Sequence, residues 1–274
     1  MTLQLSWDNA GSGEPLLLLH GIGSTHADFT ALRPRLDAEY DVLAPDLPGH
    51  GDSATLPVRP TVAAIADALE SDLDALGLTR VHVLGNSLGA RLALELAVRG
   101  RARSVVAIAP SGLNLPAERV YQGAMMGSAR ALTRPIRPLI GLAARTRLGR
   151  TLMLTGLRSA PWLAGEDEVR AVRGGFAGAT GFWQLLWWAV LADVPLGLEE
   201  IDCPVILAQG TADLIASGQT PRFLALVPGS RFRPLVGAGH APQSDAPGAI
   251  LRLVHDATRA AGPGHHITAA PMVA

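Results

Sequence analysis

The chain has 274 residues, of which 48% are hydrophobic and 17% are charged, and its formal net charge is -1. This composition provides enough apolar surface for a folded core and excludes an intrinsically disordered chain. The near-zero net charge argues against a nucleic-acid-binding protein. The single cysteine, Cys203, excludes an intrachain disulfide and a metal site made of cysteines alone.

The N-terminal stretch, residues 1–13, has neither a basic segment nor an apolar segment, so no signal peptide is predicted. The longest nearly apolar run covers residues 182–192. A helix that crosses a bilayer needs about 20 apolar residues, and this run is too short. We therefore expect a cytoplasmic protein without a membrane span.

Short apolar runs recur along the chain and predict buried strands. They cover residues 16–19, 42–45, 81–84, 104–109, 205–208 and 232–236. Helical patterns lie between several of them, over residues 62–76 with Thr61 as the N-cap and over residues 88–98. Continuous apolar strands that alternate with helices are typical of a parallel sheet covered on both faces.

This alternation stops between about residues 112 and 195. The stretch contains four of the five tryptophans, and seven arginines without any acidic residue between Arg130 and Arg158. We interpret residues 112–195 as a helical cap inserted into a core made of residues 1–111 and 196–261. The last residues, 262–274, are predicted to form a flexible tail.

The sequence Gly-Asn-Ser-Leu-Gly at residues 85–89 lies between a predicted strand and a predicted helix. A serine on such a turn is held in a strained backbone conformation with its hydroxyl clear of the sheet, and the small flanking residues let neighbouring backbone approach. Ser87 is therefore a candidate nucleophile. The N–H of Leu88, at the helix N-terminus, would point to a developing oxyanion. A helix N-cap serine after a glycine turn is the alternative interpretation.

Five short motifs occur in an order that resembles the α/β-hydrolase superfamily. They are residues 16–23, 46–53, 85–89, 210–213 and 239–240. The resemblance implies an α/β-hydrolase fold, which is a mostly parallel, doubly wound sheet with an inserted helical cap. It also implies catalytic residues in the chain order Ser, Asp, His. One N-terminal strand, residues 3–7, stands where the family often has two, so we expect a seven-stranded sheet.

His240 follows a Gly-Ala-Gly turn after the last predicted strand and comes last in that order, so we predict that it is the base. Asp213 ends the loop after the preceding strand. A carboxylate there can orient the imidazole and stabilise its protonated form. Asp193 and Asp245 remain alternatives for the acid.

The loop His-Gly-Ile-Gly at residues 20–23 resembles the family loop that supplies a second oxyanion donor, and the resemblance assigns this donor to the N–H of Ile22. A plain turn at the end of a strand is the alternative. Trp183 and Trp187 share one face of a predicted helix. They either pack the cap onto the core or line an acyl or aromatic substrate pocket. The cap arginines form either a solvated face or an anion site.

Ser87 stands where the epoxide hydrolases and haloalkane dehalogenases that resemble this chain have a carboxylate nucleophile, so those activities are disfavoured. No metal-ligand spacing and no phosphate-binding glycine loop occur, so no metal and no cofactor are predicted. We expect a carboxylesterase-like serine hydrolase that cleaves an ester, lactone or thioester of a small molecule through an acyl-enzyme.

Other functions for the same pocket remain open. They are a carbon–carbon bond hydrolase, a biosynthetic cyclase or acyltransferase, and a ligand-binding protein with a vestigial triad. The sequence does not indicate the oligomeric state.

Overall fold

Apolar strands between two layers of helices form the core of the protein. The computed structural model describes residues 4–216 and 218–262. Within these residues the strands are β1 (Trp7–Gly11), β2 (Glu14–Leu19), β3 (Tyr40–Pro45), β4 (Val81–Asn86), β5 (Ala102–Ile108), β6 (Val205–Gly210) and β7 (Arg231–Leu235). They form one sheet in the order β1-β3-β2-β4-β5-β6-β7. β1 is antiparallel to β3 and the other pairs are parallel, so the predicted fold class is confirmed.

The position of the first strand was predicted wrongly. Of the stretch predicted as the first strand, residues 4–6 are not part of a strand, and β1 begins at Trp7. The backbone N–H of Leu5 donates to the Asp72 carboxylate (3.0 Å) rather than to a neighbouring strand, and the Leu5 side chain packs into the core. β1 lies at the edge of the sheet and is mostly exposed, so its sequence is polar and lacks the apolar pattern of a buried strand.

Helices cover both faces of the sheet. Along the described chain they are α1 (Arg33–Leu36), α2 (Val62–Ala75), α3 (Leu88–Val98), α4 (Pro116–Thr133), α5 (Ile140–Ala144), α6 (Arg147–Leu154), α7 (Glu166–Gly178), α8 (Phe182–Leu185), α9 (Thr220–Leu226) and α10 (Pro247–Ala261). Side chains of α2 and α3 pack with Leu17 and Leu19 of β2, and α10 packs with Leu16 and Leu18 on the opposite face. Because both faces of β2 are covered, its apolar run is continuous.

Helices α4 to α8 lie between β5 and β6, and α8 continues as a π-helical turn over Leu186–Leu191. This helical insertion (residues 112–195) has a small apolar core of its own, around Ile140, Leu154 and Val169. Phe182 joins the main core beneath it. Burial of such side chains contributes about 1.5–3 kcal/mol each, so α8 anchors the insertion to the rest of the molecule.

The C-terminal helix α10 ends at Ala261, and Gly262 follows it with a φ of 73°. The rest of the predicted tail, residues 263–274, lies outside the described residues. Along the described part of the chain, no helix combines the length and the apolar character that crossing a bilayer requires.

Candidate active site

Ser87 lies on the sharp turn between β4 and α3. Its backbone has a φ of 56° and a ψ of -115°, a conformation that non-glycine residues adopt rarely and that surrounding structure must enforce. The N–H of Ser87 donates to the Ile108 carbonyl of β5 (2.8 Å), which holds the turn against the sheet. Helix α3 begins at Leu88, so the N–H groups of its first turn have no partner within the helix.

The glycines on either side of Ser87 are required by close backbone contacts. A Cβ at Gly85 would lie 2.2 Å from the carbonyl oxygen of Gly89, and a Cβ at Gly89 would lie 1.9 Å from that of Leu19. Any side chain at these positions would therefore force β2, β4 and α3 apart. The contacts explain why the motif has glycine two residues before and two residues after the serine.

His240 and Asp213 form a buried pair. His240 Nδ1 lies 2.8 Å from Asp213 Oδ2, and Asp213 Oδ1 accepts from the N–H groups of Ile215 (2.7 Å) and Ala216 (3.1 Å). Burial tends to raise the pKa of the Asp213 carboxyl, but His240 and these N–H groups outweigh burial and hold the pKa below its usual range. The ionised carboxylate fixes the imidazole through Nδ1, which leaves Nε2 free to exchange a proton.

A buried glutamine also positions this carboxylate. The side-chain amide of Gln209, near the end of β6, donates to Asp213 Oδ2, and the Thr220 hydroxyl donates to the Gln209 carbonyl oxygen. This role could not be predicted from the sequence, because a glutamine at a strand end carries no recognisable motif.

The other two candidate acids have different partners. Asp193 accepts from Arg91 Nε (2.7 Å), beside α3. Asp245 accepts from Arg158 Nε (3.1 Å) and from the backbone N–H of Gly239 (2.9 Å). Neither carboxylate is paired with His240.

The loop that carries His240 is tied to its surroundings on two sides. The Asn86 side-chain amide donates to the His240 carbonyl (3.0 Å), and the N–H of Ala241 donates to the Leu157 carbonyl of the insertion (2.9 Å). Asp245 also accepts from the N–H of Ser159 (2.9 Å). The imidazole therefore stands on a loop that both the sheet and the insertion hold in place.

The loop at residues 20–23 is held by two buried histidines. His50 Nε2 accepts from the N–H of Gly23 (2.8 Å), and His20 Nε2 accepts from the N–H of Leu47 (2.9 Å). A ring nitrogen accepts only when it is unprotonated. Burial is the main cause that lowers the pKa of His20 to about 3 and that of His50 to about 4, so both rings stay neutral. This network positions the backbone of Ile22.

A cavity of about 140 Å³ is lined by three of the five predicted catalytic and oxyanion residues, and Asp213 and Leu88 are not in its wall. Ser87, His240 and Ile22 all contribute to its wall. The apolar part of the wall comes largely from the insertion and includes Met125, Met126, Ala129, Leu157, Val172 and Phe176.

Trp183 and Trp187 do not line this cavity. Their side chains are 52% and 58% exposed, on the outer surface of the insertion. Phe182 is the buried aromatic residue of that helix, and the helical rotation from one residue to the next turns Trp183 outward. Phe176 of α7 provides the aromatic wall instead.

Two charged residues in the cavity wall were missed by the sequence analysis. Arg173 of α7 is 9% exposed, donates through Nε to the Met153 carbonyl, and has its guanidinium carbon 5.5 Å from the Phe176 ring centre. Burial lowers the pKa of Arg173 to about 10, so it remains a cation at neutral pH. Burial raises the pKa of the Asp28 carboxyl to about 6, against the effect of a hydrogen bond with Ser24. Neither residue belongs to a recognisable motif.

Across residues 4–216 and 218–262, no three His, Cys, Asp or Glu side chains are placed to hold a metal ion together.

Comparison with known proteins identifies the family. The sequence model that describes the alpha/beta hydrolase family matches residues 16–253 of this chain. The chain belongs to the alpha/beta hydrolase family.

This α/β hydrolase resembles curated enzymes over most of its length. It is 33% identical over 257 residues to a pimeloyl-[acyl-carrier protein] methyl ester esterase of Neisseria meningitidis, an alignment that covers 87% of this chain and 90% of the relative. It is 33% identical over 202 residues to an epoxide hydrolase of Mycobacterium tuberculosis, covering 70% of this chain and 92% of the relative.

Solved structures share the fold of this α/β hydrolase. An esterase from Thermogutta terrifontis superimposes with a TM-score of 0.73 at 22% identity and covers 94% of both chains. An enol-lactonase from Burkholderia xenovorans gives a TM-score of 0.72 at 20% identity and covers 93% of this chain and 96% of its own.

Proposed function

We propose that this α/β hydrolase is a carboxylesterase-like serine hydrolase, which cleaves an ester, lactone or thioester through an acyl-enzyme. The observation that carries the proposal is the cavity wall shared by Ser87, on its strained turn, and His240, paired with Asp213. Nucleophile, base and orienting acid follow the chain order of the family.

In the first step, Ser87 Oγ attacks the carbonyl carbon of the substrate while His240 Nε2 takes the hydroxyl proton. The ionised Asp213 carboxylate stabilises the imidazolium that forms. The backbone N–H groups of Leu88 and Ile22 hold the negative oxygen of the tetrahedral intermediate. Each such donor contributes on the order of 3 kcal/mol to the lowering of the barrier.

The intermediate then collapses to the acyl-enzyme. The bond between the acyl carbon and the leaving oxygen breaks, and that oxygen takes the proton from His240 and departs as an alcohol. A water molecule next gives a proton to His240 and attacks the acyl carbon. Ser87 regains its proton as the carboxylic acid leaves, so the net reaction consumes one water molecule.

The insertion acts as the cap over the site in this proposal. Met125, Met126 and Phe176 give the cavity an apolar wall, which suits an acyl group rather than a charged one. The cavity has a volume of about 140 Å³, so the acyl group that fits it is short to medium in length. The methyl ester esterase among the relatives supports ester chemistry. The epoxide hydrolases that the chain resembles attack with a carboxylate, and this chain has Ser87 there.

The proposal is tested with p-nitrophenyl acetate, butyrate and octanoate, using the wild type beside Ser87→Ala. We expect turnover by the wild type, loss of turnover in the variant, and a fluorophosphonate label that mass spectrometry locates on Ser87. Equal turnover by both proteins, with no label on Ser87, would overturn the proposal.

A second candidate is a carbon–carbon bond hydrolase, and Arg173 is the observation that favours it. A buried cation from the cap in the cavity wall would suit a substrate that carries a carboxylate. This activity requires turnover of an activated diketone-like acid together with failure on the simple esters. Arg173→Met should then abolish binding of the acid, whereas a serine esterase would keep its activity on p-nitrophenyl esters.

A further inference from the structure

Residues 132–152 of the insertion present several leucine side chains to solvent. The segment runs from the end of α4 through α5 to α6. Its exposed leucines are Leu132 (70%), Leu139 (56%), Leu142 (63%), Leu148 (70%) and Leu152 (65%). Single exposed leucines are common on protein surfaces, but a concentrated set of them marks a surface that binds a partner or a membrane.

The packing of α5 and α6 places these leucines on the outer side of the insertion. A Cβ at Gly149 would lie 2.0 Å from the Ala143 carbonyl oxygen, so the two helices touch directly. Ile140, Ala144 and Leu154 turn inward and join the small apolar core of the insertion. The exposed leucines of the two helices therefore point away from that core.

Arginines alternate with these leucines, and no carboxylate of the segment neutralises them. Between Glu118 and Glu166 the sequence contains no acidic residue. Four arginines of the segment are exposed and form no salt bridge with the described residues, and they are Arg134, Arg137, Arg145 and Arg147. On the adjacent helix α7, Glu166 is paired with Arg170 (3.2 Å) instead. We call the exposed side chains of residues 132–152 the arginine–leucine surface.

Two of these arginines line an open cavity of about 570 Å³. Arg130 and Trp183 also contribute to its wall, which contains no acidic residue among the described residues. Burial lowers the pKa of the Arg130 guanidinium, and the nearby charges of Arg134 and Arg137 lower it further. The three guanidinium groups therefore lie close enough to repel one another. A phosphate group held by Arg134 and Arg137 would relieve this repulsion.

An anionic phospholipid bilayer matches this surface better than a protein does. Phospholipid headgroups carry phosphates directly above apolar chains, so one interface meets both the arginine and the leucine side chains. A second copy of this chain would bring arginines against arginines across a two-fold axis. An acidic protein would satisfy the arginines but would also have to provide apolar contacts for leucines spread over three helices.

We propose that the arginine–leucine surface binds an anionic phospholipid bilayer, with the leucines at the boundary between headgroups and acyl chains and a lipid phosphate between Arg134 and Arg137. The protein then lies on the membrane rather than across it. The surface adjoins the active site, because α4 contributes Met125 and Met126 to the wall of the cavity at Ser87 and Arg134 directly follows α4.

The test is co-sedimentation of the full chain with large vesicles. Vesicles of phosphatidylcholine that contain about 30% phosphatidylglycerol are compared with vesicles of phosphatidylcholine alone, at about 0.1 M salt. We expect binding to the anionic vesicles to be stronger by at least about tenfold, and to weaken as the salt concentration rises.

The contribution of the arginines is measured with the double variant Arg134→Gln and Arg137→Gln. We expect it to weaken binding to the anionic vesicles about 25-fold, which is about fivefold for each arginine near an anionic membrane. The double variant Arg231→Gln and Arg233→Gln is the matched control. These two arginines are exposed on β7 and change the net charge by the same amount. The control should weaken binding by less than about twofold, because β7 lies outside the surface.

The contribution of the leucines is measured with the double variant Leu148→Gln and Leu152→Gln. The two side chains lie one turn apart on α6, and their loss should weaken binding about tenfold or more. The double variant Leu196→Gln and Leu226→Gln is the control, because these leucines are also exposed (76% and 48%) and lie outside the surface. It should bind like the wild type. Thermal unfolding shows whether each variant is folded.

Failure of the wild type to bind anionic vesicles overturns the inference. Equal losses in the arginine variant and its control also overturn it, since they would reflect net charge alone. A dimer in analytical ultracentrifugation that the leucine variant dissociates would assign the surface to a second copy, and binding to polyglutamate without binding to vesicles would assign it to an acidic protein. The outcome does not depend on the proposed reaction, because Ser87→Ala should bind vesicles as the wild type does.

Discussion

The side-chain amide of Asn86 donates a hydrogen bond to the backbone carbonyl of His240 across 3.0 Å. Asn86 directly precedes Ser87, and both partners are buried. The bond joins the turn that carries the candidate nucleophile to the loop that carries the candidate base. The distance between the two functional groups is thus set partly by an amide that takes no part in the chemistry.

Replacement of this amide should impair turnover more than binding. We expect Asn86→Leu to lower kcat about tenfold with little change in KM, because the base loop loses a bond to the nucleophile turn. Steady-state kinetics on p-nitrophenyl butyrate measures the effect. Asn114→Leu is the control, since the Asn114 amide also donates to a buried carbonyl, that of Val190, but lies outside the cavity. Equal losses in the two variants would contradict a role in positioning.

The acid assignment predicts unequal effects at two carboxylates. Asp213→Asn should lower kcat by about 10³- to 10⁴-fold, because the amide no longer fixes the working tautomer of His240 or stabilises its protonated form. Asp245→Asn should lower kcat by about tenfold or less, because Asp245 supports the loop around Gly239 and its contacts with the insertion but is not paired with the imidazole. A larger loss at Asp245 than at Asp213 would reverse the assignment.

The contacts of the nucleophile turn predict a strong effect on stability. We expect Gly89→Ala to lower the free energy of unfolding by about 3 kcal/mol or more, because its Cβ would lie 1.9 Å from the Leu19 carbonyl oxygen. Gly174→Ala in α7 should raise it by about 0.5–1 kcal/mol, since beyond its own stretch of helix no atom of the described residues lies within 4 Å of the Cβ position and alanine favours helix. Urea unfolding gives both values. Similar effects at the two positions would show that the turn tolerates a side chain.

Asp28 predicts a pH dependence of stability. Its pKa of about 6 in the folded protein exceeds the usual value near 4, so the folded state binds a proton that the unfolded state releases. The stabilisation of the folded protein that comes from proton binding by Asp28 is complete at low pH and is lost as the pH rises from about 4 to about 6. Asp28→Asn replaces the carboxyl by an amide that does not ionise, so the variant does not undergo this loss of stability.

The melting temperature of Asp28→Asn, relative to wild type, should therefore increase between pH 4.5 and pH 7.5. The difference over this pH range corresponds to at most about 2 kcal/mol, less what solvent screening removes from this half-buried side chain. Differential scanning fluorimetry at several pH values measures it. A relative melting temperature that decreases with pH would contradict the raised pKa.

The fold was predictable where local sequence pattern and tertiary structure agree. The strand before Ser87 and the helix after it, over residues 88–98, were placed correctly because each is buried on a long apolar surface and bounded by glycine. The first strand was misplaced because an edge strand has no buried face to leave a pattern. Thr61 was found as the N-cap of α2 because its capping hydrogen bond is local in sequence.

The identity of the side chains that line the cavity was much less predictable from the sequence than the motif around Ser87. Trp183 and Phe176 are both aromatic residues of helices in the insertion, and only the packing of those helices decides which of them faces the cavity. Asp28 and Arg173 lie far apart in the chain and line one cavity only in the folded protein. Residues of this kind carry no pattern in a single sequence.

The hydrogen bond from Ala241 to Leu157 makes a short piece of the insertion part of the support of the base. In chain order, Leu157 and Ser159 belong between β5 and β6, yet they hold the loop of His240. A chimera that took residues 112–195 from a relative as one block would discard the partners of that loop. Grafting of new specificity onto this scaffold therefore requires that residues 157–159 stay with the recipient, and the exchangeable part divides into two pieces on either side of them.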